Sequence, residues 1–400
     1  MSRHKRLALA IMFAIVFFYS IFFLLIGRWM IVQFLAPLAL VALLIIWALP
    51  ERDTIPDKWV ERLFFAFLAA VMFWPDYLAL TLPGMPWITA VRLIGTPMVL
   101  LFIICLSQSS AFRAEIKRNL GGGPWIVRLL LVYVGLSFIS IGFSDAPGTS
   151  ANLFVVAMVN WVAIFFIATW VFSRPENVTR LVSFFWVAVL VWFVLATIEW
   201  RNSQLPWANY IPSFLKVDDE LSQRILAGSA RKASGEYRVQ GKFTTSLGLA
   251  EFMALVTPFM IHLVVEGRTL LVRFAAMITL PAIMAIIFYT DSRLGIIGFL
   301  LAVMLYLLAW GLRRWRTDRK SLMGPALTLS YPAIFVAFVA ATFVVGRLRR
   351  MVWGGGAESA STQAREQQID MGLVEIMNQP WGFGFGRAAE ALASAARSGC

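Results

Sequence analysis

The stretch that decides the fold is LLVRFAAMITLPAIMAIIF (270–288), YTDSR (289–293), LGIIGFLLAVMLYLLAWGL (294–312) and RRWRTDRK (313–320). Two continuously apolar runs, each long enough to cross ~30 Å of hydrocarbon, are joined by a short polar turn. A dense basic block then closes the pair. Apolar residues run unbroken instead of alternating, so the pattern predicts transmembrane helices and not a barrel.

Working outward, runs of spanning length recur at 7–26, 30–49, 63–82, 90–106, 125–143, 153–172, 181–198, 247–265 and 325–345. With the two quoted runs they predict about eleven spans in an all-α, polytopic helix bundle. The composition agrees: 60% of the 400 residues are hydrophobic, 14% are charged, and mean hydropathy is +0.76. A soluble domain carries roughly 25% charged residues, so this chain has too little polar surface to coat a water-soluble globule. Soluble enzyme, nucleic-acid-binding protein and disordered scaffold are all poor fits.

The net charge of +13 is therefore read first as topology. Arg3, Lys5 and Arg6 precede the first run; Arg52, Lys58 and Arg62 follow the second; Arg113, Lys117 and Arg118 follow the fourth. Arg174 and Arg180, Arg268, and the block 313–320 continue the alternation, whereas the loops Pro83–Trp87 and Ser144–Asn152 carry no Lys or Arg. This asymmetry places the N-terminus in the cytoplasm. The apolar run after the first basic cluster is too long, and lacks a small-residue cleavage site, to be a cleaved signal peptide. Cys105 and Cys400 form no disulfide framework, and with only His4 and His262 present, histidine-based metal or triad chemistry is disfavoured.

Two segments on the outer side break the charge rule. Arg201–Phe243 carries Arg201, Lys216, Arg224, Arg231, Lys232, Arg238 and Lys242; the chain from Gly346 onward carries Arg347, Arg349, Arg350, Arg365, Arg387 and Arg397. Long loops translocate whatever their charge, which is one account of these cations. The other is a site for an anionic, lipid-linked substrate, because guanidinium groups grip phosphate bidentately. In the final segment, Ser361 or Thr362 caps a short predicted helix over Gln363–Met377, and Trp381-Gly-Phe-Gly-Phe-Gly386 follows as a tight aromatic turn, not a nucleotide fingerprint. Pro37, Pro75, Pro97 and Pro258 read as helix kinks.

Three arginines stand beside apolar surroundings on the predicted outer face: Arg238, Arg293 in the turn 290–295, and Arg365. Charge at membrane depth is costly, so such residues are substrate-facing or paired; Arg293 has Asp291 as an obvious partner. The order Arg238-Val-Gln-Gly-Lys-Phe243, Leu247-Gly-Leu-Ala-Glu-Phe252, Thr290-Asp-Ser-Arg-Leu-Gly295, then Arg365 and Pro380-Trp-Gly-Phe-Gly384, resembles the O-antigen ligase and O-antigen polymerase superfamily of bacterial inner-membrane proteins. The likeness runs from Arg238 to Gly386; the N-terminal half matches only as a run of spans.

The resemblance implies a metal-independent glycosyltransferase without cofactor, acting at the periplasmic face of the inner membrane. Its donor would be a glycan on undecaprenyl diphosphate; its acceptor would be lipid A-core or another lipid-linked glycan. By position, Arg238 and Arg293 would hold the diphosphate as leaving group and Arg365 would support it at the mouth. Lys242, Arg347 and Glu251 join as substrate-binding candidates, and Glu236, Asp291 and Glu366 are further acids of that face. The resemblance divides the chain into helical scaffold (1–200), periplasmic loop (201–245), C-terminal spans (246–345) and the start of a large periplasmic loop (346–400). Two departures stand out. Thr245-Ser-Leu-Gly248 replaces the family's Pro-Asn-like pair, and no loop His precedes Cys400. The 400 residues are therefore expected to stop short of family length, or to form a degenerate relative. A transporter or flippase for an anionic or lipid-linked sugar is the competing reading; the scarcity of mid-span charge and of any half-repeat disfavours it.

Overall fold

A chain in hydrocarbon satisfies its peptide groups internally, and the structure, a computed structural model, is correspondingly all-α. It describes residues 41–81, 87–217, 220–230, 237–267, 269–318, 320–344, 346, 349, 359–379 and 382–387. Eight described helices are long and apolar enough to span a membrane. The expected run 7–26 and most of 30–49 lie outside the described residues.

The chain divides into two units, 1–74 with 79–178 and 370–400, and 75–78 with 179–369. In the first, α1 (Asp57–Phe73) leads through a two-residue antiparallel pair, β1 (Ala79–Leu80) and β2 (Ile88–Thr89), into α2 (Ala90–Gln108). Then come α3 (Ser110–Leu120), α4 (Pro124–Ile141) and α5 (Pro147–Ala157), which passes through a π turn at Met158–Val162 into α6 (Ala163–Val171). Their core joins Val60, Phe64, Met98, Phe102, Phe112 and Trp170. The expected span 63–82 needs correction: α1 begins and ends earlier, because Trp74 turns to extended backbone and Pro75 follows, which cannot continue the hydrogen-bond ladder. Pro75 thus stops a helix instead of kinking one. Pro97 and Pro258 do lie inside helices, and Pro37 is outside the described residues.

The second unit takes most of α7 (Pro175–Asn202), a loop with short turns at Ala208–Tyr210 and Ser213–Leu215, α8 (Glu220–Leu226), and the pair β3 (Ser229–Ala230) and β4 (Tyr237–Arg238). Next are α9 (Ser246–Glu266), α10 (Leu270–Tyr289), α11 (Arg293–Thr317) and α12 (Met323–Val344). Thr245, Thr269 and Ser292 cap the first three of these with side-chain oxygens, a device that stabilises a helix start by ~1 kcal/mol. α9 and α11 run the same way, back across from α10, and approach closely because Gly295 and Gly298 face Ala250 and Ala254. A Cβ at Gly295 would lie 2.7 Å from that of Ala250, and one at Gly298 would lie 2.9 Å from that of Ala254. α13 (Ser359–Asn378) follows, beginning before the expected cap at Ser361 or Thr362.

In the first unit, the turn after α13 carries positive φ at Gly382, Gly384 and Gly386. Phe385 packs edge-on to Phe154, 6.0 Å between centroids, and Gly384 fits against Ser144 and Ser150. The aromatic turn is as expected from the glycines, and the partners it docks on were not legible.

Candidate functional site

The segment Tyr237–Lys242 crosses the end of the second unit where α9 and α11 begin and α10 ends. Almost every residue in it is held. Val239 N–H donates to the Tyr289 carbonyl (3.0 Å). The Gln240 side chain donates to the Ile225 carbonyl (2.7 Å), and its backbone N–H donates to Glu199 Oε1 (2.9 Å). Gly241 N–H donates to Glu199 Oε2 (3.0 Å), and the Tyr237 hydroxyl donates to Glu199 Oε1 (2.9 Å). Glu199, 1% exposed in the last turns of α7, therefore collects three donors from one short stretch of loop. Burial, and then the Glu199 carboxyl, hold the Tyr237 hydroxyl well above its ordinary value, so it stays protonated and remains a donor.

Gly241 has φ +58, and a Cβ there would meet the Trp192 ring at 2.8 Å; the turn requires glycine on both counts. Its carbonyl accepts from the Tyr77 hydroxyl (3.4 Å), which in turn accepts from Trp207 Nε1 (2.8 Å). Lys242 sits inside the protein, its side chain 3% exposed, with its ammonium 3.0 Å from Asp76 Oδ1 and over the Phe243 ring. Burial pulls that ammonium below its usual range, and Asp76 partly restores it. Trp200 stacks on Tyr289, centroids 4.8 Å apart, and so joins the ends of α7 and α10.

Within this frame Arg238 reaches the turn between α10 and α11. Its Nε donates to the Thr290 carbonyl (2.9 Å) and its Nη2 to the Asp291 carbonyl (3.3 Å). These two carbonyls fix the orientation of the guanidinium. Arg293 begins α11 two residues beyond Asp291, whose own φ is +44, and both arginines are half-buried. Two cationic residues 55 positions apart in sequence (293 − 238) are thereby carried by one turn. Glu251 is exposed on the second turn of α9, next to the Ala250 that Gly295 abuts.

The remaining sequence candidates are placed less fully. Arg365 lies on α13, where only its backbone is described, and Arg347 and Glu236 lie outside the described residues. Glu366 is exposed on α13. His262 is near the far end of α9, with Nδ1 3.3 Å from the Tyr306 hydroxyl, well away from the Arg238 segment along the helix. Glu199, Asp76, Tyr77 and Gln240 were not singled out by the sequence. A lone acid closing the apolar run before Trp200 is the signal that points to Glu199; Asp76, 166 positions from Lys242, gives none.

Residues 274–398 match the O-antigen ligase family. Arg293, Arg347 and Arg365 fall within the matched stretch; Arg238, Lys242 and Glu251 precede it. Comparison with curated proteins and with solved structures gives no match.

Proposed function

We propose, from the match of residues 274–398 to the O-antigen ligase family, that the chain transfers or polymerises a glycan carried on undecaprenyl diphosphate, at the periplasmic face of the bacterial inner membrane. The family match supports a glycan ligase- or polymerase-type function in a multi-pass membrane protein, with lipid-linked glycan and glycan acceptor substrates in general. The observation that carries the finer reading is the guanidinium of Arg238 bonded to the turn that opens into Arg293.

In this reading an acceptor hydroxyl oxygen bonds to the anomeric carbon of the donor while the bond from that carbon to the diphosphate oxygen breaks. Undecaprenyl diphosphate leaves with the electron pair. Negative charge grows on its bridging oxygen, and Arg238 and Arg293 stabilise it there without a metal ion. Cations placed in advance where charge develops are worth roughly 10²–10³-fold in rate. The start of α11 adds the positive end of its dipole to the same place. Glu251 orients the acceptor hydroxyl, whose proton passes to a carboxylate of this face or to solvent. Lys242 acts from inside, anchoring the Arg238 segment through Asp76. Arg365 and Arg347 complete the cationic mouth, an assignment that rests on the family resemblance.

The test is complementation. Cells lacking their own copy and expressing Arg238→Ala or Arg293→Ala should show surface polysaccharide ladders reduced by about a hundredfold or more, with protein levels in the membrane unchanged. Lysine at either position should restore only part of the signal, because one ammonium cannot donate bidentately. Unaltered ladders at normal protein levels would remove both arginines from the reaction.

A further inference from the structure

At the opposite end of the second unit the chain presents a different cationic surface. α11 is 25 residues long, so its C-terminus lies about 37 Å from Arg293 at 1.5 Å per residue. There Arg313, Arg314, Arg316 and Lys320 gather around the turn into α12, with Arg313 and Arg316 one helical turn apart on one face. Arg313, Arg316 and Lys320 are exposed. Among the described residues none of the four forms an ion pair, although Asp318 is close in sequence.

These cations border a cavity of about 700 Å³ lined by Leu312, Trp315, Arg316 and Pro325. Its shape is fixed by close backbone packing: a Cβ on Gly324 would come 2.5 Å from the Trp315 nitrogen, and one on Gly311 would come 3.2 Å from the Leu327 side chain. Arg314 lies over Trp310, 5.2 Å from the ring centroid. Large apolar side chains stand in the open beside the cations: Trp315 is 42% exposed, Met323 62% and Leu322 84%.

That mixture decides the kind of partner. An acidic protein or a nucleic acid would pair with the cations but leave Leu322, Met323 and the Trp315 edge in water. A bilayer boundary satisfies both sets together, phosphate against guanidinium and acyl chain against the apolar wall.

We propose that the α11–α12 turn is a binding site for one anionic phospholipid, its phosphate held by Arg313, Arg316 and Lys320 and its acyl chain seated against Leu312, Trp315 and Pro325. The site lies at the end away from Arg238 and is independent of the reaction assigned there. It retains a specific lipid and anchors the α11–α12 pair at a fixed depth.

Native mass spectrometry of the whole protein in mild detergent tests this with three probes: phosphatidylglycerol, phosphatidylcholine and inorganic phosphate. Phosphatidylglycerol should remain bound at least tenfold more tightly than phosphatidylcholine, and millimolar phosphate should not displace it. Each cation near a headgroup contributes about fivefold in affinity, so the variant R313Q/R316Q/K320Q should lose on the order of a hundredfold. Trp315→Ala, which leaves the charge intact, should weaken binding severalfold through the lost apolar wall. Equal retention of the two lipids, displacement by phosphate alone, or unchanged binding in both variants would overturn the site.

Discussion

The two ends of the second unit treat positive charge in opposite ways. At the Arg238 end two cations are bound to groups the fold supplies: Arg238 to carbonyls of the Thr290–Asp291 turn, and the buried Lys242 to Asp76 at the surface. Beneath them a buried carboxyl, Glu199, ties together the residues on either side. At the Arg313 end the side chains stand on the surface, and only the backbone under them is tightly packed. Counting basic residues would not separate the two ends. What distinguishes the first is that buried polar anchors fix its geometry, which is the condition that the proposed charge stabilisation requires.

That contrast makes thermal unfolding in detergent a direct probe. The largest effect is expected from Glu199→Leu, which strands three donors at a buried position and should cost about 3–5 kcal/mol, with Glu199→Gln recovering part of it. A cost below about 1 kcal/mol would mean that the loop is held by something other than this carboxyl. Next, Asp76→Asn removes the counterion of the buried Lys242 ammonium and should cost about 1–2 kcal/mol, less than for a fully buried pair because the Asp76 side chain is 44% exposed. The double variant D76N/K242M should regain most of that loss, since methionine fills the buried lysine's place and leaves no buried charge without a partner. If the double is no better than the single, the pair is not the anchor. The smallest effect belongs to R313Q/R316Q/K320Q, whose stability should stay within about 0.5 kcal/mol of the parent, as exposed charges away from buried networks do. A triple variant as damaging as Glu199→Leu would erase the distinction between the ends.

The helices were legible because spanning length and continuous apolarity are local properties. α9, α10, α11 and α12 begin and end within a few residues of the runs that predicted them, apart from the basic extension of α11 to Thr317. α1 was misplaced because hydropathy carries no information about where Pro75 stops a ladder. The strand pairs, each two residues long, were too short to leave a periodicity. In the candidate site the arginines could be picked out one by one, as charges beside apolar runs. Their anchors could not. Glu199 meets Gly241 across 42 positions and Asp76 meets Lys242 across 166, and no spacing rule links such residues. The sequence offers Lys242 as a substrate-binding cation, whereas its side chain lies buried beside Asp76.

The contact of Gly295 and Gly298 on Ala250 and Ala254 has a mechanical result. With backbones this near, neither α9 nor α11 can slide or rotate past the other without collision, so the pair behaves as a stiff strut. In the proposed reaction a sugar headgroup at Arg293 would meet a stationary wall, and accommodation of bulkier or longer glycans would come from segments that this strut does not clamp.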